Sequence, residues 1–230
     1  MTNKEQKINL LNELEVDKKL EKIWSERYEN KEILSGIFPN ELYSNSITFL
    51  SLNPSLQPKD RINAQKGNYP DNPYPIVDWK RTNAEYKFFK KFYNLGKEFK
   101  PWTVLDLLYE RDSNQKNLEQ KYKRKTILKE DKAFLENQIK LTFSILKSIN
   151  PKVVIISNSF ANKLIHENFN ELNLTQEIPS IENNYIYRIN GIPFITNESK
   201  YMGSRYLEQN EDRINKLTKE IRRILAEIGK

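Results

Sequence analysis

Short apolar runs alternate with longer amphipathic stretches along the chain. Four runs are rich in β-branched or aromatic residues and bounded by turn residues, which is typical of buried strands. They span 46–52, 102–108, 151–157 and 192–196. Apolar residues spaced by three or four positions predict helices at 8–35, 82–95, 133–149, 160–169 and from Tyr206 onward. This alternation predicts an α/β fold with three layers, in which a central, mainly parallel four-stranded sheet lies between helices.

The last predicted strand belongs to a hairpin. Residues 185–188 form its first arm, Asn190 and Gly191 its turn, and 192–196 its second arm. We find no internal repeat and no flexible linker, so we expect a single domain over 1–230. Residues 1–45 would form a helical cover at its N-terminal end.

Composition narrows the possible functions. The 38 Lys and Arg residues against 31 Asp and Glu give a net charge of +7, which favours polyanionic partners but also suits a solvated, Lys-rich surface. The absence of Cys excludes disulfides, a thiolate nucleophile, Cys-ligated zinc and iron–sulfur clusters. No stretch approaches the roughly 20 apolar residues of a membrane span. We therefore expect a cytoplasmic protein with no membrane partner.

Ligands of parallel α/β sheets bind beyond the carboxyl ends of the strands. The segments to inspect are therefore 53–56, 106–112, 157–159 and 197–205. None of them is a Gly-rich phosphate loop, so we expect no nucleotide cofactor. The single His, His166, lies in the middle of a predicted helix, which excludes a Ser-His-Asp triad and a His-rich metal site. We expect no metal.

Two of these segments carry a recognisable pattern. Leu52-Asn53-Pro54-Ser55 follows the first strand, and Asn197-Glu198-Ser199, then Gly203-Ser204-Arg205, lie between the last strand and the terminal helix. Together they resemble the two motifs of the uracil-DNA glycosylase superfamily, most closely its mismatch-specific branch. With the two middle strands, the resemblance spans about 46–228 in order, and it implies that family's fold.

The resemblance implies a monofunctional DNA glycosylase that acts as a monomer without a cofactor. It would flip a pyrimidine out of the DNA, hydrolyse the N-glycosidic bond and leave an abasic site. Asn53 would orient the hydrolytic water, Asn197 would be the catalytic residue of the second motif, and Pro54 and Ser55 would cradle the base. An Asn-Pro pair after a strand is also an ordinary turn.

The resemblance also implies DNA contacts from the second motif, whose loop enters the minor groove and fills the gap left by the flipped base. The residues at these positions are Ser199, Lys200, Tyr201, Met202, Ser204 and Arg205. Ser204 also suits a helix cap. The sequence departs from the family at Glu198, which replaces a Pro, and in the extra residues before Gly203.

Asp106 falls where uracil-specific members carry an Asn. A carboxylate offers only acceptors, so it would repel O4 of uracil and accept a hydrogen bond from the exocyclic amine of a cytosine-type base. The same residue would equally suit a bond to Arg111 or a turn cap. In the long loop 57–80, Tyr74 and Trp79 would supply a stacking face or fill the edge of the core.

The sequence thus favours excision of a modified cytosine of the kind found in some viral genomes, which would be a defence function. The alternatives are a uracil or mismatch repair glycosylase, a catalytically silent nucleic-acid-binding module on the same fold and, less favoured, a nucleotide- or sugar-processing hydrolase. The basic cluster at 116–132 is typical of a solvated face and would also suit a DNA backbone.

Overall fold

A computed structural model of the chain describes residues 7–8, 14–28, 38–39, 42–53, 76–77, 92, 95–112, 114–168, 176–177, 186–196 and 211–228. The helices are α1 (Val16–Arg27), α2 (Gln115–Lys121), α3 (Lys129–Ile149), α4 (Ser159–Asn168) and α5 (Glu211–Ile228). The strands are β1 (Lys7–Ile8), β2 (Phe38–Pro39), β3 (Leu42–Tyr43), β4 (Ile47–Ser51), β5 (Ile76–Val77), β6 (Trp102–Asp106), β7 (Val153–Ile156), β8 (Gln176–Glu177), β9 (Ile186–Ile189) and β10 (Ile192–Ile195). Within these ranges no helix is long and apolar enough to cross a membrane.

The chain is an α/β protein, as the sequence predicts, and its main sheet has the strand order β6-β4-β7-β10-β9-β8. The first four strands are parallel, whereas β9 and β8 are antiparallel to their neighbours. The prediction of a four-stranded sheet is wrong. The four predicted strands form the parallel part, and β9 and the two-residue β8 extend it on one side.

The hairpin turn places β9 beside β10 in the sheet. Asn190 and Gly191 adopt positive φ angles of 51° and 79°, which a tight turn between antiparallel strands requires. The first arm therefore folds back on β10 and pairs with it from Ile186 to Ile189. The hairpin prediction is confirmed.

Other elements differ from the sequence predictions at their ends. α1 is shorter than the helix predicted over 8–35, because Ile8 pairs with Leu42 in a short antiparallel sheet and Tyr28 is extended. The charged stretch 110–132, which the sequence predicts to be an exposed loop passing into a helix, contains the separate helix α2. That helix begins after Asn114, whose side chain accepts a hydrogen bond from the Lys116 amide and caps it.

Apolar side chains cover both faces of the sheet. On one face, Leu50 and Leu105 belong to a buried cluster with residues of α1, α2, α3 and α4, including Leu20, Leu118 and Ile139. The opposite face forms a second cluster. Its strand residues include Ile47, Phe49 and Val104, and its helical residues include Leu217, Ile221 and Ile224 of α5. Since β4 is buried along its whole length, it forms the centre of the core.

A substitution at Gly96 would test how tightly the second face of the sheet is packed. A Cβ atom at Gly96 would overlap the indole ring of Trp102, which is itself packed edge-on against Phe49 with ring centroids 5.8 Å apart. Because the indole has little room to move, Gly96→Ala should lower the free energy of unfolding by about 1–3 kcal/mol. Urea denaturation measures this change. Lys97→Ala, at the exposed neighbouring position, is the matched control and should stay within about 0.5 kcal/mol of the wild type.

Candidate functional site

The carboxyl ends of β4, β6 and β7 meet at one edge of the sheet. Ser51 of β4 is in register with Asp106 of β6, and Leu50 is in register with Ile156 of β7. Asn53 therefore lies just beyond this edge, beside the end of the strand that carries Asp106. The structure thus brings together two residues that the sequence assigns to the site.

The other predicted site residues lie outside the described residues. They are Pro54, Ser55, Tyr74, Trp79, Asn197, Ser199, Lys200, Tyr201, Met202, Ser204 and Arg205. The second motif does, however, follow a strand that ends at the same edge. β10 is parallel to β7, and the buried Thr196 is the last described residue before Asn197.

The side chain of Asn53 holds the loop that follows β6. Its Nδ2 donates to the carbonyl oxygens of Glu110, at 3.1 Å, and Asp112, at 3.0 Å. Both amide hydrogens are therefore engaged and the plane of the amide is fixed. In this orientation, Oδ1 is the atom of the side chain that accepts hydrogen bonds.

The same loop is held from the other side by two polar residues of α3. Gln138 Oε1 accepts hydrogen bonds from the amides of Tyr109, at 2.7 Å, and Glu110, at 3.0 Å. The Thr142 hydroxyl bonds to the carbonyl oxygen of Leu107 at 2.9 Å. Sequence reasoning missed both residues. The available signal was two polar positions, four residues apart, on a helix face that is otherwise apolar from Phe134 to Ile149.

Asp106 is a half-buried carboxyl group with one identified side-chain partner, Ser51. Burial raises the pKa of Asp106 from an ordinary value of 3.8 to about 7, while the hydrogen bond from Ser51 acts in the opposite direction. The group therefore changes protonation near neutral pH. In its protonated form it offers a donor as well as an acceptor.

Glu110 belongs to a network of polar groups behind the loop. Lys121 Nζ lies 2.7 Å from its carboxylate, and the hydroxyl of the buried Tyr122 donates to it. Lys121 also lies 3.1 Å from the Tyr28 hydroxyl and 3.8 Å from a carboxylate oxygen of Asp131. Burial raises the pKa of Glu110 even though Lys121 lowers it, as expected for an enclosed ion pair. Lys121 is thus the exception among the basic residues at 116–132, since the others are exposed as a solvated face requires.

Asn158 connects the end of β7 to two helices. Its Oδ1 accepts hydrogen bonds from the amides of Phe160 and Ala161 and caps α4, and its Nδ2 donates to Gln115 of α2 at 2.9 Å. His166 is exposed in the last turn of α4, where its ring lies 4.9 Å from that of Tyr187. It is placed away from the strand ends.

One groove of about 270 Å³ lies between α1 and the start of α3, and Ile23, Arg27 and Phe134 are among the residues that line it. None of its lining residues is a predicted site residue. In the described part of the chain, no group of three or more His, Asp or Glu side chains is arranged to hold a metal ion. The chain matches no protein-family model and no curated protein at a significant level.

Asp106→Asn tests the buried carboxyl group. Because the pKa is higher in the folded than in the unfolded protein, the wild type should lose stability as the pH rises from about 4 to about 7, by up to roughly 4 kcal/mol. Asn carries no titrating group. The variant should therefore gain stability relative to the wild type across this window, in urea denaturation at pH 5 and pH 8.

Glu119→Gln is the control, because this side chain is exposed on α2. Its stability relative to the wild type should be the same at both pH values. An Asp106→Asn difference that did not change with pH would contradict a carboxyl group that titrates in this range.

Proposed function

We propose that this protein is a monofunctional DNA glycosylase that hydrolyses the N-glycosidic bond of a flipped pyrimidine. The observation that carries the proposal is the meeting of Asn53 and Asp106 at neighbouring strand ends of one sheet edge. They belong to separate segments, 53 residues apart, that resemble successive parts of the uracil-DNA glycosylase pattern. The residues of the second motif follow a strand that runs to the same edge.

The proposal extends to the fold. Helices lie against both faces of the sheet, and its four parallel strands are those that the resemblance uses. We infer that this is the three-layer arrangement of the uracil-DNA glycosylase superfamily. In this chain, β9 and β8 extend the sheet beyond those four strands.

In the proposed reaction, the bond between C1′ of the sugar and the ring nitrogen breaks, and the base leaves with the electron pair. A water oxygen bonds to C1′ and releases a proton to solvent, and the departed base takes up a proton from solvent. The oxocarbenium-like state needs an oriented water more than a strong base, which suits an Asn. With both Nδ2 hydrogens engaged by the loop, Asn53 would orient that water through Oδ1. Asn197 would complete the site from the second motif.

Asp106 would select the base. Its ionised form accepts a hydrogen bond from the exocyclic amine of a cytosine-type base and repels O4 of uracil. Its protonated form would also donate to N3 of cytosine. We therefore favour a modified cytosine as the substrate, with a role in defence against viruses that carry such bases. Uracil or mismatch repair is the alternative within the same activity.

An abasic-site assay tests the activity. The protein would be incubated with uracil-containing, mismatched, plain, hydroxymethylcytosine and glucosylated cytosine DNA, and alkali-labile sites would be counted. We expect product from one substrate class. Asn53→Ala should reduce the rate by about 100-fold or more, which is typical of losing one transition-state contact.

Gln138→Ala is the matched control for Asn53→Ala. It releases the same loop from the opposite side without changing Asn53, so the effect of a loosened loop is measured separately. We expect a loss of less than about tenfold. Equal losses in the two variants would contradict a direct role for Asn53. A strand nick formed through a covalent intermediate that borohydride traps would contradict monofunctional chemistry.

Since Asp106 would select the base and its pKa lies near 7, base selection should depend on pH. When protonated, the carboxyl group can donate to O4 of uracil and accept from N3–H, whereas the ionised group can still accept from N3–H but cannot donate to O4. Ionisation also removes the hydrogen bond to N3 of cytosine, so the ratio of the rate on cytosine-type DNA to that on uracil DNA should differ between pH 6 and pH 8. The nearby Tyr109 hydroxyl stays neutral in this range, because burial raises its pKa. Asp106→Asn should favour uracil and give a ratio independent of pH; an unchanged ratio would remove Asp106 from recognition.

A catalytically silent nucleic-acid-binding module is the second candidate. It is favoured by the two hydrogen bonds from Asn53 to the loop, since they give this side chain a structural role without any reaction. Such a module would bind DNA in a salt-dependent way and form no abasic sites on any of the five substrates.

A further inference from the structure

An exposed basic turn joins α2 to α3. Lys123, Arg124 and Lys125 follow one another in this turn, and all three are exposed. From 114 to 132 the sequence has seven Lys and Arg residues against three Asp and Glu residues. This stretch therefore contributes more than half of the chain's net charge of +7.

These three cations differ from several other exposed cations of the protein. Lys132, Lys163 and Arg222 each form an ion pair with a Glu side chain, at 3.8, 3.8 and 3.2 Å. Among the described residues, no carboxylate forms an ion pair with Lys123, Arg124 or Lys125. Their charges are therefore directed to solvent rather than matched within the protein.

Contacts place this basic turn close to the candidate site. Tyr122, directly before it, donates to the carboxylate of Glu110, and Lys121 forms an ion pair with the same group. The carbonyl oxygen of Glu110 in turn accepts a hydrogen bond from Asn53. Two residues, Tyr122 and Glu110, thus connect the turn to the end of β4.

The turn is also fixed in position. Tyr122 is only 2% exposed, and the backbone amide of Thr126 donates to the carbonyl oxygen of Lys123 at 2.8 Å. At the other side of the turn, Asp131 in the first turn of α3 pairs with Arg27 of α1 at 2.9 Å. Because its backbone is held in this way, the turn itself loses little conformational freedom on binding.

We propose that Lys123, Arg124 and Lys125 bind phosphates of the DNA strand that flanks the candidate site. This inference rests on the proposed function, since it assumes that DNA approaches the carboxyl edge of the sheet. Lys and Arg neutralise phosphates and release condensed counterions without reading sequence. The turn would orient the duplex, and the sheet edge would receive the flipped base.

The test compares two pairs of charge reversals. Lys123→Glu/Lys125→Glu changes the turn, and Lys147→Glu/Lys152→Glu is the matched control, with two exposed lysines near the amino end of β7. Both variants change the net charge equally. Binding to a 20-base-pair duplex of plain sequence would be measured by fluorescence anisotropy between 50 and 300 mM salt.

We expect the turn variant to bind at least about tenfold more weakly at 100 mM salt, with the slope of log K against log salt reduced by about 2 in magnitude. The control should retain most of its affinity. Lys123→Gln/Lys125→Gln, which only removes charge, should have an intermediate affinity. Circular dichroism would establish that each variant is folded.

Equal weakening in both charge-reversal variants would overturn the proposal, because net charge alone would then explain binding. Unchanged binding in the turn variant would also overturn it, while excision of a base by the wild type would leave the proposed glycosylase intact. Absence of DNA binding by the wild type would remove the proposed function and this inference together.

Discussion

The central position of β4 constrains the rest of the fold. Its five residues are buried on both faces, and both of its edges pair with parallel strands, β6 and β7. The ladder continues past the strand ends, where the amides of Leu107 and Ser157 donate to the carbonyl oxygens of Ser51 and Leu50. Because these bonds fix the register, the polar residues that follow β4, β6 and β7 lie side by side along one edge of the sheet.

The loop after β6 depends on that register. It leaves the sheet beside Asn53 and runs across α3, so its backbone groups lose contact with water and need protein partners. Asn53 satisfies two carbonyl oxygens and Gln138 satisfies two amides. These hydrogen bonds hold the loop in place. They also give Asn53 a structural function that is compatible with a chemical one.

The local sequence pattern predicted the parallel strands and the hairpin. Each of these elements is encoded by a short β-branched run and by turn residues that lie only a few positions from it. It did not predict the width of the sheet, since pairing of β8 with β9 depends on contacts between distant segments. α2 was missed because only Leu118 of this charged helix is buried. Gln138 and Lys121 were missed as site residues, because their partners at 109–110 lie 11 to 29 residues away.

The candidate site was also predicted only in part from the sequence. The sequence indicated Asn53 and Asp106 from their places after strands, and the structure puts them at one edge. The hydrogen bonds of Asn53 and the protonation of Asp106 follow from tertiary burial, which no local pattern contains. Tyr74, Trp79 and the residues of the second motif lie outside the described residues and stay predictions.

Because the pKa of Asp106 lies near 7, this edge of the sheet can take up or release a proton around neutral pH. Near neutral pH both forms of Asp106 are populated, so any ligand that favours one of the two forms changes the number of protons bound. The heat of such binding would include the ionisation heat of the buffer. Calorimetry in two buffers of different ionisation enthalpy would therefore count the protons exchanged on binding, and the difference between the wild type and Asp106→Asn would give the share of this side chain.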